Sequence, residues 1–268
     1  MTRRNISKAT IREKSKSMEK LSGKIAVVTG ASRGLGKAMA IELAQQGASV
    51  AVAARTVEAG QSPLPGTIHE TVSEIGKLRG KATAIRCDVT REEDVEALIN
   101  QVNEDFGRVD ILINNAGITI PEAFLKLTAK KWDLVMGVNL RGTFLCTKAV
   151  LPQMVERKSG HIINISSILA TKVKFSIPYG ASKAAIERVT LGLAKEMEKY
   201  NVAVNALCPD FTVTEAVTAF LKDVDTTDWQ QTEMWGKYAV MVAAQDAGSL
   251  TGKILDEPAL RKIFGPLE

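Results

Sequence analysis

A tyrosine and a lysine four residues apart, Tyr179 and Lys183, lie in a stretch whose apolar residues recur at helical spacing. On a helix they share one face, where a fixed ammonium favours the phenolate and lowers the tyrosine pKa from about 10. Such a phenol can pass a proton to or from a substrate oxygen near neutral pH. Upstream, Ser167 in the run Ile-Ser-Ser could donate a hydrogen bond to charge developing on that oxygen. Taken alone, a Tyr/Lys pair is more often a surface contact, so this interpretation depends on the motifs around it.

A glycine-rich segment at residues 29–36 (TGASRGLG) joins a β-branched apolar run to a helical pattern. Glycine permits a tight turn and lets backbone N–H groups approach a pyrophosphate, whose negative charge is also favoured at a helix N-terminus. Because the segment stands between a first strand and a first helix, it predicts a dinucleotide site rather than an ordinary turn. The expected contacts are Gly30, Ser32, Arg33, Gly34, Leu35 and Gly36.

The choice between NAD(H) and NADP(H) is predicted from the end of the second strand. An acidic residue there would bind the adenosine ribose and repel a 2′-phosphate. Here the strand ends in Ala53-Ala54-Arg55, without an acid. Arg55 and Arg33 could bind the phosphate through charge-assisted hydrogen bonds. We therefore expect NADP(H), and the alternative is a pair of solvated surface arginines.

From residue 24 onward, short β-branched runs alternate with amphipathic segments. We interpret these segments as the strands and helices that position the residues above. Two buried helical stripes are predicted, at Val95, Leu98, Ile99, Val102 and Phe106 and at Ile186, Val189, Leu193 and Met197. The alternation predicts a single-domain α/β fold of Rossmann type, a doubly wound parallel sheet of about seven strands with helices on both faces. The predicted strands are residues 25–29, 49–54, 82–87, 111–114, 161–166, 203–207 and 252–255, and the first helix is residues 37–46.

The composition is that of an ordinary globular protein. The chain has 268 residues, 45% of them hydrophobic and 24% charged, which excludes disordered and collagen-like classes. Three scattered cysteines and two histidines form no recognisable metal site or hydrolase triad. No apolar run reaches the roughly 18 residues of a membrane span, and no secretory signal is recognisable in the first residues. We expect a cytoplasmic protein that binds neither membrane nor nucleic acid.

The net charge of +5 is carried entirely by residues 1–20, which contain seven basic and two acidic residues. This predicts a basic, disordered leader (residues 1–20) ahead of a neutral catalytic domain (residues 21–268), with a transit peptide or a tether to an acidic partner as alternatives.

Residues 56–66 are predicted to be an inserted surface loop. Residues 211–238, rich in aromatics, predict a helical flap over a substrate pocket, and ordinary packing is the alternative.

These motifs together resemble the short-chain dehydrogenase/reductase family, from residue 21 to residue 255. The glycine segment is similar to the family's cofactor turn, Asp88 in Cys-Asp-Val-Thr to its adenine-contacting acid, and residues 114–117 (NNAG) to the segment beside the cofactor. The cofactor contacts that the resemblance adds are Asp88, Val89, Asn115, Ala116, Gly117, Tyr179, Lys183, Pro209 and Thr214. Its four catalytic positions fall on Asn139, Ser167, Tyr179 and Lys183.

The resemblance implies hydride transfer between a nicotinamide cofactor and a substrate carbon, with Tyr179 as acid or base and Ser167 as hydrogen-bond donor. It also implies that Lys183 holds the nicotinamide ribose and that Asn139 seats a water that relays the proton to solvent. A homodimer or homotetramer, built on the long helices around residues 130–156 and 179–199, is implied as well.

Three features depart from the family pattern. The interval from Ser167 to Tyr179 is one residue shorter than usual, and Ser166 would restore it, but the Ile-Ser-Ser context favours Ser167. Pro209-Asp210 stands where relatives commonly have Pro-Gly, and the closing Asp-Gly-Gly is replaced by residues 251–257 (TGKILDE). That ending, with the insert at residues 64–68 (LPGTI), is similar to the hydroxysteroid-dehydrogenase-like branch.

The sequence thus predicts an NADP(H)-dependent oxidoreductase that interconverts a secondary alcohol and a ketone. An apolar or acyl-type substrate is expected, because Lys172 and Lys174 could bind a carboxylate or acyl-carrier phosphate beside an apolar lining. The candidate lining residues are Leu169, Phe175, Phe211, Phe220, Trp229 and Trp235. The alternatives are an NADPH-sensing regulatory protein with little turnover, an NAD-dependent dehydrogenase of the same family, and a nucleic-acid binder acting through the basic leader.

Overall fold

The computed structural model describes residues 19–173, 176–220 and 224–267, so the predicted leader lies almost wholly outside the described residues. The strands are β1 (Ile25–Thr29), β2 (Ser49–Ala54), β3 (Lys81–Arg86), β4 (Ile111–Asn114), β5 (Gly160–Ile165), β6 (Val202–Leu207) and β7 (Ile254–Leu255). The helices are α1 (Gly34–Gln45), α2 (Ile68–Lys77), α3 (Glu92–Phe106), α4 (Ala129–Met136), α5 (Gly142–Arg157), α6 (Ile177–Met197), α7 (Glu215–Phe220), α8 (Thr232–Ala243) and α9 (Glu257–Phe264).

The seven strands form one sheet in the order β3-β2-β1-β4-β5-β6-β7, and all neighbouring strands are parallel. Strand β1 pairs with β2 on one side and with β4 on the other, so the chain changes its direction across the sheet at this point. In open α/β sheets, ligands bind at such a switch point, outside the carboxyl ends of the strands. The predicted doubly wound fold of Rossmann type is confirmed.

Two apolar layers cover the two faces of the sheet, because successive strand residues point to opposite sides. On one face, Val28 packs in a cluster with Met39 of α1 and Trp235 of α8. On the other face, Val27 packs in a cluster with residues of α3 and α5, among them Leu98. Both layers continue to the carboxyl ends of β1 and β4, which fixes the geometry of the loops that follow these strands.

The bounds of β1, β2 and β4 agree with the prediction to the residue, and those of the other strands differ by one or two positions. The largest difference is in α1, which begins at Gly34 instead of residue 37. The sequence analysis assigned residues 29–36 to the turn, and with them Gly34 and Gly36. Here Gly36 lies inside the first turn, where a Cβ would come within 2.4 Å of Asn115 Nδ2.

A run of helix from Ala129 to Arg157 is long and apolar enough, by length and composition, to cross a membrane. It comprises α4, a five-residue π-helical turn (Gly137–Arg141) and α5. Half of the 18-residue apolar stretch in this run is buried inside the fold. Val150 and Met154 are fully buried against the sheet. This burial is what a core helix of an α/β domain shows.

His161, at the start of β5, is buried in a polar network between β5 and β6. The Asn205 amide accepts from Lys253 N through Oδ1, so its Nδ2 donates to His161 Nε2 at 2.9 Å. The other ring nitrogen, Nδ1, lies 3.3 Å from the carbonyl oxygen of Gln245 and donates to it. Burial lowers the pKa of His161 from 6.5 to about 4, so the imidazole is neutral in the folded protein at pH 7.

We expect the protein to lose stability as pH falls from about 6.5 to about 4, because the unfolded chain binds a proton at His161 that the folded chain excludes. A depressed pKa of this size corresponds to about 3 kcal/mol at the acid end of the window. Urea unfolding at several pH values checks this, with His161→Gln giving a shallower loss between pH 6.5 and 4. The control His69→Gln changes an exposed histidine of α2. Equal slopes for wild type and His161→Gln would contradict the assignment.

Candidate active site

The glycine turn between β1 and α1 packs tightly against the end of β4. Nδ2 of Asn115 donates to the carbonyl oxygens of Thr29 and Gly30, at 2.9 and 3.1 Å. A Cβ on Gly30 would lie 2.8 Å from Cα of Ala116, and a Cβ on Gly36 would lie 2.5 Å from the Gly30 oxygen. Side chains are therefore excluded from both glycine positions, and the backbone of the turn faces the crevice at the switch point.

This crevice fits a dinucleotide. Gly34, at φ +56°, carries no side chain over the turn, and α1 has no acidic residue in its first turn and no capping side chain from its own N-cap. A helix N-terminus of this kind attracts a diphosphate. The topology brings the predicted contacts together at one edge of the sheet: Gly30, Ser32, Arg33, Gly34, Leu35 and Gly36 after β1, Arg55 after β2, Asp88 and Val89 after β3, Asn115, Ala116 and Gly117 after β4, and Pro209 and Thr214 after β6.

Asp88 lies where β3 ends, beside the tip of β2. Burial raises its pKa, but hydrogen bonds from the backbone and side chain of Thr90, together with the nearby Arg55, outweigh this and hold the pKa below its usual value. The Oδ1 atom accepts both Thr90 bonds, at 3.0 and 2.8 Å. A fixed, ionised carboxylate at this place can accept hydrogen bonds from an adenine amino group.

The two arginines predicted to bind a 2′-phosphate differ in their contacts. Arg33 donates from Nε to the carbonyl oxygen of Pro65 at 2.7 Å and from a terminal nitrogen to that of Gly66 at 2.9 Å, so it holds the inserted loop in place. Arg55 is 57% exposed, and its nearest charged partner is Asp88, 3.8 Å away. Arg55 therefore has the more available guanidinium, and Arg33 supplies charge from a fixed position.

Tyr179 and Lys183 lie on one face of α6, near its N-terminus, as their spacing predicts. Lys183 is buried, and its Nζ donates to the carbonyl oxygen of Ile165 at 2.6 Å and lies 5.4 Å from the centroid of the Tyr179 ring. Burial lowers the pKa of Lys183 to about 8, against an opposing interaction with Cys208. The ammonium form persists at neutral pH and begins to be lost just above it.

The predicted lowering of the Tyr179 pKa is wrong. Burial of the hydroxyl raises this pKa above its usual value, and a hydrogen bond with the Ser167 side chain only partly opposes the shift. Helical spacing places Lys183 on the correct face, but its ammonium is bonded to the end of β5. Tyr179 therefore stands as a protonated phenol, which is the form that donates a proton.

Asn139 is fully buried in the π-helical turn and joins the loop after β4 to α6. Its Oδ1 accepts from the backbone of Ile118 at 2.8 Å, and its Nδ2 donates to Ser182 Oγ at 2.9 Å. Ser182 in turn donates to the backbone oxygen of Tyr179 at 2.7 Å. The π-helical turn, rare in proteins and frequent at functional sites, thus holds the backbone from which Tyr179 projects.

Three elements meet at the centre of the site: the loop after β4, the π-helical turn and α6. A Cβ on Gly117 would lie 3.5 Å from Asn139 Oδ1 and 3.7 Å from Lys183 Nζ, so the loop after β4 runs directly beside both side chains. On the far side, the backbone N–H of Ile168 donates to the carbonyl oxygen of Pro209 at 2.9 Å and ties the loops after β5 and β6 together.

The two adjacent serines point to different partners. Ser167 lies near enough to the Tyr179 hydroxyl to oppose part of the rise in its pKa, and Ser167 Oγ accepts from the backbone N–H of Leu169 at 3.2 Å. Ser166 donates from Oγ to Glu187 Oε1 at 2.7 Å. Glu187 was not anticipated from the sequence, although its position, four residues beyond Lys183, puts it on the same face of α6 as Tyr179. Of the two serines, Ser167 is thus the one beside Tyr179, whereas the Ser166 side chain is paired with Glu187.

The predicted flap, residues 211–238, contains α7 and the start of α8, linked by a bridge between Thr212 and Gln230. The rings of Phe211 and Trp229 stack with centroids 5.0 Å apart. Trp235 was expected to line the substrate pocket, which is wrong: its side chain is buried in the core layer against α1 because α8 turns this face inward. Lys174, Phe175 and the side chain of Phe220 lie outside the described part of the structure.

Lys172, predicted to attract an anionic substrate group, lies 3.7 Å from Asp210 Oδ2. Asp210 occupies the position where the family commonly has glycine, so this departure supplies the lysine with a counterion. The charge of Asp210 partly offsets that of Lys172, which weakens the attraction of Lys172 for an anionic substrate group.

A parallel sheet with a glycine turn at its switch point, and a buried lysine beside a tyrosine and a serine, defines a nucleotide-binding oxidoreductase of Rossmann type. The profile of the family described as short chain dehydrogenase matches residues 24–225. The chain belongs to the short-chain dehydrogenase/reductase family, as its motifs predict.

Curated relatives and a solved structure agree with this family. Hydroxysteroid dehydrogenase-like protein 2 of Danio rerio is 36% identical over 248 residues, which is 91% of this chain and 59% of that protein. A 3-oxoacyl-[acyl-carrier-protein] reductase of Synechocystis is 39% identical over 74% of this chain and 78% of that protein. A short-chain type dehydrogenase/reductase from Mycobacterium marinum superposes with a TM-score of 0.80 at 31% identity, over 90% of this chain and 96% of that one. The chain spans about half of the length of the hydroxysteroid dehydrogenase-like relatives.

Proposed function

We propose that the protein is an NADP(H)-dependent oxidoreductase that interconverts a secondary alcohol and a ketone. The observation that carries the proposal is the placement of Tyr179, Ser167 and Lys183 around one point beside the glycine turn. The nicotinamide cofactor supplies or accepts the hydride. The chain's own residues bind the cofactor, orient the substrate oxygen and move the proton.

In the direction of reduction, Tyr179 donates its phenolic proton to the substrate oxygen as that oxygen gains charge. Burial raises the pKa of Tyr179, which keeps the proton on the phenol until the substrate oxygen becomes a stronger base. Ser167 donates a hydrogen bond to the same oxygen. The Lys183 ammonium, held by Ile165, favours the phenolate that remains. In oxidation the same groups act in reverse.

An apolar substrate is supported by exposed apolar side chains on the loops that follow β4 and β5. Leu125 is fully exposed in the loop after β4, and Val173 is 98% exposed in the loop before α6. A hydrogen bond from Ser176 Oγ to the Ile120 oxygen, at 3.0 Å, joins these two loops. Apolar surface on loops around a cleft suits an aliphatic or ring-shaped body next to the reacting carbonyl.

We further propose that copies of the chain associate through the long helices. Phe144 of α5 is 54% exposed, and Val189 and Leu191 of α6 are 41% and 43% exposed. Val189 was predicted to be buried in the helical stripe, but it faces outward, which adds to the apolar surface of α6. A homodimer or homotetramer would bury these side chains.

Assays of a ketone and alcohol panel with NADPH and NADH side by side test the proposed function, and Arg55→Ala tests the cofactor choice. We expect the wild type to reduce an apolar ketone with a preference for NADPH. Loss of one charge-assisted phosphate contact should raise the KM for NADPH about 10- to 100-fold and leave that for NADH within twofold. Arg86→Ala is the matched control, because Arg86 at the end of β3 pairs with Asp94.

Three outcomes would contradict the proposal. An equal rise in the KM for NADPH and for NADH in Arg55→Ala would show that Arg55 does not bind the 2′-phosphate. A wild type that binds NADPH yet turns over no member of the panel would favour a cofactor-sensing protein. Turnover with NADH alone would make the enzyme an NAD-dependent dehydrogenase.

A further inference from the structure

Glu215, the first residue of α7, reaches across the cleft to the glycine turn. Its Oε2 accepts a hydrogen bond from the backbone N–H of Gly34 at 2.8 Å, although 181 residues separate the two. Helix α1 offers no acidic residue of its own for this role. The flap therefore provides the anion that caps the N-terminus of α1.

The surroundings of Glu215 show that its carboxylate lies within the cofactor crevice. A Cβ on Gly34 would lie 3.6 Å from Glu215 Oε2 and 3.5 Å from the methyl group of Thr214. Burial lowers the pKa of Arg33, and the charge of Glu215 is the strongest influence that opposes this shift. Glu215 is thus placed between the turn expected to bind a diphosphate and an arginine expected to bind a phosphate.

A bound dinucleotide brings two negative charges to the same turn. Two anions a few ångströms apart in a partly buried crevice repel each other, and each favours the removal of the other. We propose that Glu215 occupies the anion position of the glycine turn in the cofactor-free enzyme and gives it up when the cofactor's diphosphate binds. Cofactor affinity is then set partly by the free energy needed to displace this carboxylate.

The flap must respond to this exchange, because Glu215 begins α7. Immediately before it, the chain is anchored independently of the cofactor: Thr212 pairs with Gln230, and Val213 N donates to the Gln230 oxygen at 2.9 Å. These anchors confine the displacement to the segment that starts at Thr214. The contact therefore couples the occupancy of the cofactor site to the position of α7, which borders the substrate side.

The test is a binding titration of wild type, Glu215→Gln and Glu215→Asp with NADPH. The fluorescence of NADPH itself reports how much of it is bound. We expect Glu215→Gln, which keeps an acceptor oxygen but loses the charge, to bind NADPH about tenfold more tightly than wild type. The aspartate variant keeps the charge and should remain within about threefold of wild type. The matched control is Glu233→Gln, which removes a charge from an exposed position in α8.

A second measurement, hydrogen exchange, follows the backbone around Glu215 and needs no catalytic activity. Hydrogen exchange of residues 214–219 should change on NADPH binding in wild type, whereas residues 212–213, which are held by Gln230, should exchange at the same rate with and without NADPH. Unchanged or weaker NADPH binding by Glu215→Gln, or equal tightening by Glu233→Gln, would overturn the proposal. The proposal rests on the cofactor assignment, which fails separately if wild type and all variants bind neither NADPH nor NADH.

Discussion

Replacing Tyr179 with phenylalanine lowers kcat for ketone reduction about 10³-fold, the loss expected when a general acid is removed. The variant retains the ring that fills the site and loses only the hydroxyl that Ser167 contacts. Because the glycine turn and Lys183 are unchanged, the Kd for NADPH should stay within about threefold of wild type. Steady-state kinetics and NADPH fluorescence titration on the same preparation measure both quantities.

Tyr200→Phe is the matched control, since Tyr200 lies beyond the far end of α6, next to Lys199. Its kcat should equal that of wild type. If Tyr179→Phe kept more than a tenth of the wild-type kcat, another group would have to be the proton donor. If it lost NADPH binding as well, the hydroxyl would belong to the cofactor site instead of the chemistry.

Replacing Lys183 with methionine produces the second large effect, a loss of about 10²- to 10³-fold in kcat/KM. In wild type, activity that depends on the ammonium should fall as pH rises through about 8, the value to which burial lowers the pKa of Lys183. The free enzyme titrates there, so the decline belongs in the profile of kcat/KM. Lys183→Met should lack this limb.

Lys195→Met serves as the control, because Lys195 is an exposed lysine of α6 that pairs with Glu198. It should leave both the rate and the pH profile unchanged. A wild-type kcat/KM that stays flat from pH 7 to pH 10 would show that the charge of Lys183 is not required. A limb that persists in Lys183→Met would assign the titration to another group.

Much of the fold could be predicted because buried parallel strands are continuous apolar runs. The strands β1, β2 and β4 are interior strands of the sheet, and their ends coincide with changes in hydrophobicity. Strand β3 begins and ends with the exposed residues Lys81 and Arg86. Polar residues at a strand end are compatible with a loop, so sequence patterns place such ends less exactly.

The contacts within the candidate site could not be predicted from the sequence. Spacing of four put Tyr179 and Lys183 on one face, but only tertiary packing sends the lysine to Ile165 and buries the phenol, which reverses the expected pKa shift. The contacts of Glu187 and Glu215 join elements far apart in sequence, and no local pattern encodes them.

A crystal structure of the complex with NADP⁺ would show where the cofactor lies relative to Tyr179 and Lys183. We expect the diphosphate at the glycine turn, with Glu215 displaced, and the nicotinamide ring beside Lys183. Its reactive carbon and the Tyr179 hydroxyl should both be within reach of one substrate carbonyl. A nicotinamide ring bound away from Tyr179, or a dinucleotide bound elsewhere on the protein, would contradict the account.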